Sequence, residues 1–319
     1  MAQCAGADSG RTSVEATLVR EKQEAGLDIA VALGGGGARG LSHIGALQVL
    51  EDEGYRIRAI AGTSMGGFIG AAYAVGLSPR EIEARAATTR LRELLQLRPT
   101  GDGLLGLDHV AVLLHDLVGD RTFADLRIPL AVTATDLTTC QEIVLTEGKV
   151  AEAVLATIAL PGIFPPRIMG EHRLVDGGIL DPVPVRPARQ LFPGVVFAVA
   201  LSPAPARWPE SRSPNPLAFL PGFNVLTRLR PAQALHVFMQ SMEIASRMQT
   251  ELRLQIDRPE VLVRPDVWRV ALFGEPSLAD MVETGRAVTR EALPVLLQQF
   301  VWWRRLGRVI RRSVHRLPS

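Results

Sequence analysis

Two cysteines, at positions 4 and 140, stand among 319 residues. That is too few for a disulfide framework or a cysteine zinc site, and it fits a reducing compartment. Excess charge is also scarce: the net value is +2, so no global field calls for nucleic acid. No run approaches the roughly 18 to 20 consecutive apolar residues that cross a bilayer. Residues 1–27 lack the apolar centre of a signal peptide and read as a disordered tail. These absences together predict a cytoplasmic protein that meets lipid, if at all, from its surface.

What is present is a large apolar fraction, 47% of the chain, enough for one sizeable core. The run Asp28-Ile-Ala-Val-Ala-Leu33 is short, apolar and ended by glycines, as a buried parallel strand is. Leu41, Ile44, Leu47 and Leu50 then repeat at helical spacing. Residues 57–61, 128–135, 142–145 and 195–201 read as further strands, with helices expected over 67–75, 108–118 and 149–159. Strands alternating with helices imply a mainly parallel sheet covered on both faces. The stretch 98–107 reads as a connection, and the proline-rich run 161–166 as a loop. Residues 202–230, rich at first in Pro, Ser and Arg, read as a linker or lid, and 231–319 as a helical region.

Gly62-Thr63-Ser64-Met65-Gly66 has the form of a nucleophile elbow, a serine on a sharp strand-to-helix turn. Side chains at Gly62 or Gly66 would collide across such a turn. Gly34-Gly35-Gly36-Gly37-Ala38-Arg39-Gly40 also lies between a strand and a helix, leaving backbone N–H groups free to meet an anion. A phosphate-binding P-loop requires Lys and Ser/Thr after the last glycine, whereas Leu41 and Ser42 follow here. A dinucleotide fingerprint requires an acid at the end of the second strand, where this chain has Gly62, Thr63 and Ser64. The remaining reading is an oxyanion hole, with the N–H groups of Gly35, Gly36 and Gly37 on the developing negative charge and Arg39 adding positive charge. Arg39 as a plain surface arginine is the alternative.

Ser64 needs a base. His43 lies in an expected helix, His236 in an apolar helical run and His315 among arginines, none a persuasive setting. Asp176, in Leu174-Val175-Asp176-Gly177-Gly178, stands at a strand end beside glycines that allow close approach. A Ser64/Asp176 dyad is therefore expected. Asp136 reads as a sheet-end structural residue and Asp181 as a turn former before Pro182.

The glycine loop with Arg39, the Ser64 elbow, Thr135-Asp136-Leu137, the Leu160–Pro166 loop and Asp176-Gly177-Gly178, in this order, resemble the bacterial patatin-like phospholipases. The resemblance covers about residues 28 to 190. It implies a three-layer α/β/α sandwich with a mainly parallel sheet and a helical C-terminal extension, the catalytic domain occupying 28–201. It further implies a serine acyl-hydrolase acting on phospholipids, lysophospholipids or related lipid esters without metal or cofactor. By that resemblance Ser64 is the acylated nucleophile, Asp176 the proton acceptor, and Gly35 to Gly40 the oxyanion loop. Relatives often carry a serine-rich segment where this chain reads Ala156-Thr157-Ile158-Ala159, a departure that touches packing near the site. An α/β-hydrolase esterase using Ser64, an Asp and His236 is one competing reading, and a catalytically silent lipid-binding scaffold is another. Residues 302–317, if helical, set Trp303, Leu306, Ile310, Val314 and Leu317 against six arginines. That pattern suits an anionic membrane, and equally a terminal helix packed on the core. Oligomeric state is not legible.

Overall fold

The computed structural model describes residues 27–94, 96–100, 102–210 and 230–314. The expected tail before residue 27, most of the expected linker (211–229) and the side chains of the basic C-terminal stretch lie outside the described residues.

Strands β1 (Asp28–Leu33), β2 (Arg56–Thr63), β5 (Leu130–Asp136) and β9 (Val195–Val199) form the parallel centre of an eight-stranded sheet. A fifth parallel strand, β10 (Val261–Val263), adds to β9. The region beyond 231 is thus not wholly helical. Three residues are too few for a period-two pattern to register, and only pairing with β9 makes them a strand. A separate hairpin, β3 (Gln96–Thr100) and β4 (Gly103–Gly106), occupies the expected connection.

The sheet's two faces differ in thickness because side chains alternate along each strand. Ile29, Val31, Leu33, Ile60, Val132 and Phe197 face a broad aliphatic core. Packed on that side are α1 (Ser42–Asp52), α2 (Met65–Ala74), α3 (Pro79–Thr88), α4 (Asp108–Val118), α5 (Val150–Thr157) and α8 (Leu278–Val314). Ala30, Ala32, Ala61, Ala131 and Ala198 face the other way, so α6 (Val185–Leu191) lies close against the sheet. The long helix α7 (Arg230–Asp257) joins both sides: Met239 belongs to the aliphatic core and Leu254 to the alanine side. It therefore passes across the end of the sheet, and that end is where the site is built.

One piece of strand pairing decides the site. Gly62 and Thr63 of β2 pair with Val132 and Thr133, whose other edge is taken by β6 (Gln141–Leu145). Ala134 to Asp136 pair with β8 (His172–Asp176), also opposite β6. Strand β8 therefore continues along the edge of β5 that β2 leaves. Thr63 and Asp176 lie opposite consecutive residues, Thr133 and Ala134. The short β7 (Arg167–Met169) finishes this side as a hairpin with β8.

Candidate active site

Strand β2 ends at Thr63 and α2 begins at Met65, leaving Ser64 alone to make the turn at φ 53° and ψ −123°. Non-glycine residues rarely hold this conformation, and it persists only where the surroundings impose it. A Cβ at Gly62 would strike the Gly66 carbonyl, and one at Gly66 the Leu33 carbonyl, so both glycines are required by contact. The Ser64 N–H donates to Thr157 Oγ1 at 2.8 Å, from the last residue of α5. Thr63 Oγ1 shares a 2.6 Å hydrogen bond with Thr133 Oγ1 and donates to the Asp181 carbonyl at 2.8 Å. The elbow is fixed from two sides.

Asp176 is 5% exposed, and its Oδ1 accepts the Gly178 N–H at 2.7 Å. Burial pushes its pKa up to about 6, while contacts from the Ser64 hydroxyl and the Gly178 N–H pull the other way. The hydroxyl of position 64 and the carboxylate of position 176 are thus brought together, as the β2–β5–β8 register requires.

The glycine loop abuts the elbow, since a Cβ at Gly35 would sit 3.2 Å from Ser64 Cβ. Its donors are not all available. The Gly35 N–H donates to the Pro182 carbonyl at 3.0 Å, which removes it from the expected oxyanion set. The N–H groups of Gly36 and Gly37 have no protein acceptor among the described residues, and both glycines border the cavity beside Ser64. Gly37, at φ 56°, lies against the Leu272 carbonyl, which accepts the Ala38 N–H at 2.8 Å. Gly40 leaves space for the Met65 side chain, which a Cβ there would meet.

Arg39 is not a surface residue. It is 4% exposed, its Nε donates to the Val270 carbonyl at 2.7 Å, and it forms a 3.1 Å ion pair with Glu243 of α7. Burial lowers its pKa and the Glu243 carboxylate opposes that shift. Arg39 thereby ties the glycine loop to the helix that crosses the site.

His43 is fully buried, and burial lowers its pKa to about 4. Its ring is therefore neutral, and Nε2–H donates to the Gly34 carbonyl at 2.7 Å, bracing the loop from behind. Among the described residues, no histidine borders the cavity that opens at Ser64, His236 included. Asp136 accepts from the Thr138 and Arg173 N–H groups, Thr139 Oγ1 and His172 Nδ1, and these bonds hold its pKa well below the carboxylate range. It is structural, as its position at the sheet end suggested. No group of three or more metal-ligating side chains occurs among the described residues.

The cavity measures about 670 Å³ and is bordered by Gly35–Arg39, Ser64 and Asp176 together with side chains of α2, α3, α4 and α7. Sequence reasoning missed three contributors. Thr157 lay in the noted departure from the serine-rich pattern, which was the available signal. The Met65 N–H, at the first position of α2, has no intrahelical partner. Glu243 gave no signal, because a lone acid in a helical run looks solvated.

Residues 31–189 match the family model described as patatin-like phospholipase. An uncharacterized NTE family protein of Mycobacterium tuberculosis is 36% identical over 189 residues, 59% of this chain and 52% of that protein. The human patatin-like phospholipase domain-containing protein 6 is 34% identical over 182 residues, 54% of this chain but 13% of its own length. Among solved structures, VipD from Legionella pneumophila superposes with a TM-score of 0.51 at 15% identity, covering 85% of this chain and 67% of that one. That likeness concerns the fold, and the chain spans about half the length of its mycobacterial relative. No helix among the described residues is long and apolar enough to cross a membrane.

Proposed function

The chain belongs to the patatin-like phospholipase family, and from that premise we propose that it is a serine acyl-hydrolase cleaving the acyl esters of phospholipids, lysophospholipids or related lipids through Ser64 and Asp176. The observation that carries this reading is a serine on a forced turn whose cavity holds a buried carboxylate and, among the described residues, no histidine.

In this mechanism Asp176 accepts the hydroxyl proton as Ser64 Oγ attacks the ester carbonyl. The negative oxygen of the tetrahedral intermediate meets the N–H groups of Gly36, Gly37 and Met65, the last at the positive end of α2. Asp176 then returns the proton to the departing alcohol. Water attacks the acyl-serine with Asp176 again as base, releasing a carboxylic acid and restoring Ser64. A pKa of about 6 suits this double task, since the carboxylate is mostly ionised at neutral pH yet basic enough to hold a proton briefly.

The test combines a fluorophosphonate label with hydrolysis of phospholipid, lysophospholipid and glyceride panels. Ser64→Ala is expected to abolish labelling and turnover, and Asp176→Asn to lower kcat at least about 1000-fold, in keeping with loss of a base from such a unit. His236→Ala retains activity. Absence of labelling in the wild-type protein would favour a silent lipid-binding scaffold, and loss of activity in His236→Ala would favour a triad.

A further inference from the structure

The cavity runs on from Ser64 along one side of α2. Met65, Phe68, Ile69 and Ala72 all border it, at the i, i+3, i+4 and i+7 positions of a single helix face. Ile82 and Ala86 of α3 and Val110, Leu113 and Leu117 of α4 complete this arm. Its charged neighbours are Arg85 and Arg90, both exposed on and just after α3. Helix α7 brings Glu243, Ser246, Arg247 and Thr250 to the same cavity, beside its own Met239 and Met242. Ser64 borders this cavity as well.

We propose that the α2 arm is an acyl-chain channel graded by length, with Ala72 as the residue that lets chains longer than about ten carbons pass. The substrate class is then a lipid whose long unbranched acyl chain lies along α2 while its polar portion lies beneath α7. This rests on the hydrolase reading above. Ala72 is buried and stands eight residues beyond Ser64, hence about 12 Å farther along the helix axis, roughly the extended length of eight to ten carbons. Its methyl group is the smallest side chain on the lining face of α2, and aliphatic side chains of α3 and α4 line the same cavity. A cavity of about 670 Å³ is in the range that encloses a sizeable ligand, about 300 to 1000 Å³. Each buried methylene favours binding by about fourfold, so truncating the channel discriminates sharply between long and short chains.

The experiment compares p-nitrophenyl octanoate with p-nitrophenyl palmitate. In Ala72→Phe the palmitate-to-octanoate ratio of kcat/KM is expected to fall at least about tenfold, with a smaller fall in Ala72→Leu. Fluorophosphonate labelling of Ser64 reports that each variant is folded, and the Leu variant decides the matter if the Phe variant is not. A ratio within twofold of wild type in a folded variant overturns the channel. If the wild-type protein cleaves neither ester, the hydrolase reading fails by itself, and the channel is read by displacement of a fluorescent fatty acid. Loss of the palmitate-over-octanoate preference in Ala72→Leu then supports the channel, and an unchanged preference overturns it.

Discussion

Ser64 holds its turn through neighbours rather than through its own preferences, and Thr157 is the neighbour with a directional role. Its hydroxyl oxygen is the acceptor for the Ser64 N–H, and a buried N–H without one costs about 1 to 3 kcal/mol. Thr157→Val keeps the shape and removes the acceptor. Steady-state kinetics should show kcat reduced by about tenfold with little change in KM, and Thr157→Ser should restore most of it. Unchanged kcat with a lowered melting temperature would make Thr157 a packing residue only. Asp176 supplies the second prediction at this scale. It must be ionised to act as a base, so kcat/KM should fall below pH 6 and level off above it. A limb set instead by a histidine would shift or vanish in His236→Ala, and a pH–rate profile from 4.5 to 8 separates the two.

Between elements, the structure relies on close backbone approach that no apolar periodicity announces. Helices α1 and α8 cross at Gly45 and Gly285: a Cβ on the first would meet the Val282 carbonyl, and one on the second the Ser42 carbonyl. Gly285→Ala therefore forces the helices apart, with an expected loss of about 1 to 3 kcal/mol in urea denaturation. An unchanged midpoint would mean that the crossing yields easily. The same reliance on neighbours explains α7. Its exposed residues from Val237 to Ile256, among them Ile244, Met248 and Leu252, carry no charge. Glu243, Arg247 and Arg253 turn inward instead. Arg253 Nε and Gln249 Nε2 both donate to the Leu180 carbonyl, at 2.9 and 2.8 Å, bracing the turn that follows Asp176. Helical spacing alone does not say which way these polar residues face, and their tertiary partners decide it.

Asp181 links the site to the stability of the whole molecule. Its carbonyl holds Thr63, as a turn residue's can, but its carboxylate is fully buried and neither oxygen has a hydrogen-bond partner among the described residues. Burial, followed by the nearby Glu142 charge, raises its pKa to about 8, with Asp257 adding to the rise and Arg253 and Arg186 opposing it. The folded state therefore keeps a proton that the unfolded chain releases near pH 4. Its contribution to stability is present in acid and declines as pH rises from about 4 to about 8. Asp181→Asn should remove that decline, so its melting temperature relative to wild type rises across pH 5, 7 and 9. Parallel curves would show that Asp181 does not titrate differently in the two states.

The amino-acid sequence by itself determined the parallel core and the two glycine turns, because buried strands read as apolar runs and sharp turns exclude side chains whatever surrounds them. It also singled out Ser64 and Asp176, residues whose local settings are unusual. Tertiary structure alone decided that β8 follows β2 along one edge of β5, which brings those two residues together. It also decided that Gly35 spends its N–H on Pro182, that Arg39 is buried against Glu243, and that Val261–Val263 completes the sheet. Each of these depends on a partner far away in the chain, and local propensity holds no record of which groups a fold will bring within hydrogen-bonding reach.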